Sequence, residues 1–339
     1  GREDFVYRIS VGEQPFITSM FPLGGPAGVD TIASVNGWNL PRNEVRLDTT
    51  PGVIKTLAVE WLIPQGLCNR IVYAVDELPE VTEAEPNDTI DDAQQVTLPR
   101  IVNGRIGTPG DVDMFQFQGR AGDEIVMDLM GRRLDSPIDS LVRLIDASGA
   151  VLAWNDDFKE KDGQLHVGPG MITNHSDSYL MASLPADGDY CVQLLDTRGH
   201  GSEAHAYRLH IMPAQPDFVL RVMPSCLTIP TGRTATINVR ATRRNGFTGE
   251  IKLALKDAPE GFSLAGETIP AETDCVEMTL TAPAKSPGEP VALQFEGTAV
   301  VDGQTFIRPA IPADDTMQAF LWRHLMPAEE MLVSVIRPK

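Results

Sequence analysis

Apolar and polar residues alternate with a period of two along most of this chain. Ala235, Ile237, Val239 and Ala241 interleave with Thr234, Thr236, Asn238 and Arg240. Ile251, Leu253 and Leu255 are set off by Lys252 and Lys256, and Val276, Met278 and Leu280 by Glu277, Thr279 and Thr281. Such alternation puts one face against a core and the other in water, the pattern of half-buried antiparallel strands. Turn pairs separate the runs: Pro109-Gly110, Ser148-Gly149, Asp187-Gly188, Asn245-Gly246 and Asp302-Gly303. A last strand is expected at residues 331–336. Helical spacing is confined to residues 90–95, opened by Asn87 or Asp88, and to residues 314–324. Short strands at this spacing predict an all-β chain built from β-sandwiches.

The chain has 339 residues, enough for two or three domains. A Pro- and Glu-rich stretch at 77–88 carries no strand pattern, and Pro213-Ala-Gln-Pro216 reads as a stiff connector. These divide the chain into 13–79, 80–214 and 215–339. Residues 6–11 echo residues 206–211, each run leading into a Pro-containing connector. Either two amphipathic strands match by chance, or residues 1–12 are the last strand of a preceding domain in a tandem array.

Lys and Arg number 28 against 47 Asp and Glu, a formal charge of −19. That balance leaves no basic footprint for nucleic acid or an anionic membrane surface. No stretch approaches the roughly 18 uncharged apolar residues of a spanning helix, and no signal peptide is visible. The four cysteines form no CxxC pair. Cys226 and Cys275 fall in the same expected domain and could pair or stay free. Cys68 and Cys191 fall in different domains and are expected to be unpaired.

The chemistry concentrates in Glu83-Ala84-Glu85-Pro86-Asn87-Asp88. In an extended chain Glu83, Glu85 and Asn87 project to one side at intervals of about 6.6 Å. Curved slightly, they suit Ca²⁺, which takes six to eight oxygens at about 2.3–2.6 Å. Asp88 adds a carboxylate at the turn, and Asp111 and Asp113 follow before a strand at 114–117. Mg²⁺ rarely accepts so many protein carboxylates, and Zn²⁺ would want clustered His or Cys. A solvated acidic linker is the competing reading. A second candidate set is Asp139, Asn155, Asp156, Asp157 and Asp177, all at expected strand ends, where Asp and Asn also serve turns. The run from Asn155 to Gly163 lacks the ligand spacing of an EF-hand.

Glu-x-Glu-Pro-Asn-Asp-Thr at 83–89 is followed by Asn103-Gly104-x-Ile106, Gly110-Asp-x-Asp-x-Phe-x-Phe117 and Ala121-Gly122-Asp123. Asp139-Ser140-x-Val142, Asp146-Ala-Ser-Gly149, Asn155-Asp156-Asp157, Pro185-Ala-Asp-Gly188-Asp-Tyr190 and Tyr207-Arg-Leu209 complete the series. In this order the motifs resemble the bacterial pre-peptidase C-terminal domain over about residues 83–212. The resemblance implies a jelly-roll β-sandwich, similar to clostridial collagen-binding domains, with a calcium site at its acidic N-terminal segment. Glu83, Glu85, Asn87, Asp88 and Asp113 match the calcium pattern by position, and Asp111 matches less closely. Residues 13–79, with Thr31-Ile-Ala-Ser-Val-Asn-Gly37-Trp-Asn-Leu40, resemble an immunoglobulin-like IPT/TIG unit, in which Trp38 is expected to pack in the core or a turn. Residues 215–339, with Asn245-Gly-Phe-x-Gly249-Glu-Ile-x-Leu253, resemble a bacterial immunoglobulin-like module carrying a C-terminal extension.

No catalytic arrangement stands out in the sequence pattern, although its many carboxylates leave a glycosidase-like pair open. There is no GxSxG and no HExxH, and the six His show no metal spacing. His200-Gly201-Ser202 places a His beside a Ser, which does not make a triad. Trp154, beside Asn155, is the best candidate for a sugar-stacking platform, although a strand-end core role fits it too. The expectation is a non-catalytic module of a secreted, periplasmic or cell-surface bacterial protein. It would bind calcium and serve as spacer, targeting or adhesion region toward an extracellular protein or polysaccharide. A carbohydrate-binding module is the alternative, and an accessory region with hydrolase activity a further one.

Overall fold

The computed structural model describes residues 12–50, 57–59, 62–63, 66–67, 69, 71–157, 177–257, 259–301, 303–317, 323–328 and 330–337. They form strands throughout, joined by turns and one short 3₁₀ turn at Arg132–Leu134. The chain is all-β. Its described residues fall into two compact units, those up to residue 213 and those from 214 onward. Residues 1–11, with the echo of 206–211, lie outside the described residues, as does Cys68.

The centre of the first unit is a sandwich of two five-stranded sheets. One runs Gln94–Gln95, Val112–Gly119, Gly188–Asp196, Ser140–Asp146, Val151–Asn155; the other runs Tyr179–Ser183, Glu124–Met130, Ala206–Pro213, Arg100–Arg105, Glu80–Thr82. Without the two short additions at Gln94–Gln95 and Glu80–Thr82, this is the eight-stranded order of a jelly roll. Alternate residues meet between the sheets: Phe115, Phe117, Met127, Leu129, Val142, Leu144, Val192, Leu194 and Leu209 are all buried there. Tyr190 closes the 185–190 corner by donating from its hydroxyl to the Ala186 carbonyl at 2.7 Å.

Residues 12–79 add two three-stranded sheets, Phe16–Phe21 with Thr31–Trp38 and Glu44–Leu47, and Gly24–Pro26 with Ile71–Asp76 and Leu57–Val59. Ile17, Met20, Ala33, Val35, Leu47, Tyr73 and Val75 form their core. A second apolar cluster joins them to the sandwich: Leu23 and Ala74 pack on Leu134 and Ala206, flanked by Phe21, Val72 and Met130. The Arg105 guanidinium lies 3.9 Å from the Phe21 ring centroid. The strand Ala206–Pro213 is therefore buried on both sides over its first six residues. Leu209 and Ile211 face the sandwich core, while Arg208 and His210 lie on the opposite face.

In the second unit, Thr234–Arg244 pairs with Asp217–Met223 on one side and Cys275–Thr281 on the other. Val291–Val301 pairs with Met331–Ile336 at its start and with Gln304–Met317 further along. Ile237, Val239, Ile251, Leu253, Met278 and Leu280 are buried together, as the alternation requires. Asn245 and Gly246 both take positive φ, 52° and 77°, in the turn closed by Phe247 N–H to the Arg244 carbonyl at 3.0 Å.

Three expectations are corrected. Residues 90–95 are not a helix. Thr89 and Asp92 bond each other's side chains at 2.9 Å, and Asp92 N–H closes a turn on the Thr89 carbonyl at 3.1 Å. Such local bonds compete with helix, and Gln94–Gln95 then joins the sheet beside Val112–Gly119. Nor do the described residues of 314–324 form a helix: Gln304–Met317 is strand to its end and Arg323–Pro327 pairs back on it, while residues 318–322 lie outside the described residues. A helix this short is marginal without packing, and strand pairing overrides its spacing. Trp38 is not in the core but 70% exposed, because the face of its strand that carries Ala33 and Val35 is the buried one. No disulfide joins Cys226 to Cys275, and Cys191 is a buried thiol.

Candidate metal centre

The strand Glu80–Thr82 lies parallel to Arg100–Arg105, and Glu83 N–H extends that pairing to the Asn103 carbonyl at 2.9 Å. This register delivers Glu83 to the end of the sandwich. Its Oε2 accepts Arg105 N–H at 2.6 Å, and its Oε1 accepts Asn87 Nδ2 at 3.4 Å. Asn87 is fully buried. Its carbonyl accepts Met114 N–H at 3.0 Å, and its own N–H donates to Glu85 Oε2 at 3.0 Å. The loop is thus stitched to the strand that carries Asp113. Asp113 is fully buried, and its Oδ2 accepts the Tyr207 hydroxyl at 2.6 Å. Gly104 completes the cradle, since a Cβ there would overlap the Tyr207 hydroxyl and Glu83 Oε2.

Among the described residues, one group of His, Cys, Asp or Glu brings three ligand atoms within 4.8 Å of one another: Glu83, Glu85 and Asp113. Two buried oxygens beside them, Asn87 Oδ1 and Asp113 Oδ1, have no hydrogen-bond partner. Buried polar atoms are rarely left so. The electrostatics agree. Burial pushes the Glu83 and Glu85 carboxyls up, and the Asp111 charge adds to both. Asp113 is pushed up to about 10, foremost by burial and then by the Glu83 carboxyl beside it. Burial also raises the Tyr207 phenol, with the Asp113 and Glu83 charges adding to it. Carboxylates this close hold charge only with a cation among them. The donor set is all oxygen, which suits a hard cation such as Ca²⁺ and not Zn²⁺.

The other expected ligands stand apart from this group. Asp88 is exposed, and its charge reaches Glu85. Asp111 accepts Gly107 N–H at 2.6 Å and Val112 N–H at 3.0 Å, so its oxygens serve the 107–112 turn. The second set is dispersed over separate structural tasks. Asp177 accepts the backbone N–H groups of Gly131, Arg132 and Arg133 and pairs with Arg133 Nε at 2.9 Å. Asp139 pairs with Arg198 at 2.8 Å. Asn155 Oδ1 accepts Tyr179 N–H at 3.0 Å, and Asp156 Oδ1 accepts Asp157 N–H at 2.9 Å. Trp154 is 60% exposed on a strand at the sheet edge, opposite Arg143. Arg143 Nη1 bonds Gln193 Oε1 at 3.1 Å. The Ser202 hydroxyl lies 2.9 Å from His205 Nδ1 while also accepting Ala204 N–H at 3.2 Å. That is a local turn contact. Asp196, the nearby acid, accepts the backbone N–H groups of Arg198, His200 and Asp139. Sequence spacing did not reveal Tyr207 or Gly104 as parts of this carboxylate cradle. Both fall within the motifs quoted above, but their roles depend on a contact spanning 94 residues.

No family model matches the chain. It is 32% identical over 149 residues to a protein of Deinococcus radiodurans named as a probable subtilase-type serine protease. The match covers 43% of this chain and 17% of that protein's length. Among solved structures, it is similar to the pre-peptidase C-terminal domain of a Bacillus anthracis collagenase. That likeness has 15% identity and a TM-score of 0.25, and covers 38% of this chain and 99% of that one. A DUF4785 family protein of Legionella pneumophila is similar at 13% identity and a TM-score of 0.20, over 62% of this chain and 60% of that one. Among the described residues no helix is long and apolar enough to cross a membrane, which says nothing of a β-barrel.

Proposed function

We propose that this chain is a non-catalytic accessory region of an extracellular bacterial protein, and that its jelly roll binds one Ca²⁺ through Glu83, Glu85, Asn87 and Asp113. One observation carries the reading: two partnerless buried oxygens stand beside three carboxylates whose ligand atoms lie within 4.8 Å of one another. Asp88 and Asp111 supply charge at the rim. The sequence likeness to part of a subtilase-type protease supports an accessory place in a secreted protein. In this reading the sheets of residues 13–79 act as an IPT/TIG-like unit and the second unit as an immunoglobulin-like spacer. Together they serve to space, target or attach the larger protein. Polysaccharide binding is a second reading, favoured by the exposed Trp154 beside Arg143.

The test is a thermal melt in EDTA against a calcium titration, with magnesium as control. At about 100-fold over Kd, calcium is expected to add about 2.7 kcal/mol. Glu85→Ala with Asp88→Ala is expected to abolish the rise. A melt that does not move with calcium, or moves equally with magnesium, would overturn the reading.

A further inference from the structure

The contact between the N-terminal sheets and the sandwich holds a second buried polar cluster, distinct from the group of Glu83, Glu85 and Asp113. Arg208 is fully buried. Its Nη2 bonds Asp76 Oδ2 at 2.7 Å and Glu80 Oε1 at 2.6 Å, and its Nη1 bonds Glu80 Oε2 at 3.1 Å and Asn103 Oδ1 at 2.8 Å. Asp76 ends the strand Ile71–Asp76 of the N-terminal sheets, so this guanidinium fastens them to the sandwich. Two residues along the same strand, His210 is almost fully buried, and its Nε2 makes no hydrogen bond. One carboxylate oxygen, Asp76 Oδ2, is 3.7 Å away and already accepts from Arg208.

We propose that this cluster is an acid-sensitive clasp, in which protonation of His210 loosens the N-terminal sheets from the sandwich. His210 is faced by Arg208 on its own strand, Asp76 on the strand Ile71–Asp76, Asp128 on the strand Glu124–Met130, and Arg133 in the 3₁₀ turn. Tyr179 pairs with Asp128 in register on the next strand, and Glu80 is held by Arg208. Arg133 binds Asp128 and Asp177, so those acids are engaged. A proton arriving at Nε2 finds Asp76 Oδ2 at 3.7 Å, an oxygen that already accepts from Arg208. Either the imidazolium stays buried and unpaired, or Asp76 turns to it and leaves Arg208. A buried charge without a partner is costly, and so is a broken buried pair. Both routes weaken the same contact. Burial holds the His210 imidazole below the ordinary range against the Asp76 and Asp128 charges, which favour the proton, while Arg208 and Arg133 act in the same sense as burial. The neutral form is therefore the one that suits the closed clasp, and the contact is favoured above the ordinary histidine range and lost below it.

Hydrogen exchange on the whole chain, corrected for intrinsic rates, tests this at about pH 7.5 and about pH 5. Amides of residues 71–82 are expected to lose protection about tenfold at the lower pH. His210→Gln, which cannot take the proton, is expected to remove most of that change. Should the variant fail to fold, an NMR titration of the wild-type imidazoles replaces it, with His210 expected to titrate below the free-histidine value. The proposal is overturned by protection that does not change with pH, by equal changes in wild type and variant, or by a His210 that titrates above the free value.

Discussion

Replacing Asp113 with Asn separates the cost of the carboxylate cradle from its proposed use as a calcium site. The Asn side chain can accept from Tyr207 and place its amide where the other Asp113 oxygen stands, beside Glu83. It carries no charge at any pH. Without metal, the native protein holds a carboxyl of ordinary pKa 3.8 in a place where it titrates at about 10. At about pH 7 that is about three pH units of forced protonation, at about 1.4 kcal/mol each, or at most about 4 kcal/mol. Glu83 shares the proton, so a gain between about 1 and 4 kcal/mol is the expectation for the variant in EDTA. The sign follows from linkage. The folded pKa lies above the unfolded one, so the folded state binds more protons between 3.8 and about 10, and wild-type stability falls as pH rises through that window. Urea unfolding in EDTA between about pH 5 and 8 should show that fall in the wild type and a flatter curve in Asp113→Asn. In saturating calcium the order reverses, because the wild type gains binding energy that the variant has lost. If the variant is less stable than wild type in EDTA, or shows the same pH slope, the account of this cradle is wrong.

Two further outcomes follow. Gly104→Ala puts a methyl against the Tyr207 hydroxyl and Glu83 Oε2; overpacking of this kind costs about 1–3 kcal/mol, and calorimetry should show calcium affinity lowered along with stability. Trp154→Ala removes a side chain that is 60% exposed, so stability should stay within about 0.5 kcal/mol. Retention on insoluble polysaccharide is the readout there: loss on substitution would support sugar binding, and equal retention would remove Trp154 from consideration.

The strands were legible because their signal is local. Ile237, Val239 and Ala241 declare a buried face by alternation alone, and the structure buries all three. Glu83, Glu85 and Asn87 were legible for the same reason, being alternate residues of one extended segment. Tyr207 and Arg208 were not. Their partners lie 94 and up to 132 residues away, and only the winding of the jelly roll brings them together. The carboxylates of the second candidate set illustrate the opposite error. Acids at strand ends look like a pool of ligands in sequence. In the fold, Asp177 is consumed by three backbone N–H groups and an arginine before any ion could claim it. Trp38 was misplaced because a strand residue's type does not say which side of the sheet is covered.

The closing pair of strands in the second unit has a mechanical consequence. Met331–Ile336 runs parallel to Cys226–Pro230 over five residue pairs. The incoming chain, Asp217–Met223, leads directly into the first residue of Cys226–Pro230, and the outgoing chain leaves from the far end of Met331–Ile336. Once Asp217–Met223 has parted from Thr234–Arg244 and Gln304–Met317, a tug on the two ends of this unit pulls these neighbours lengthwise in opposite directions. The bonds between them are loaded side by side and must fail together, whereas a hairpin pulled at its open end parts one bond at a time. Resistance to stretching is thus set by which ends of the ladder the chain enters and leaves, a property suited to a tether under tension.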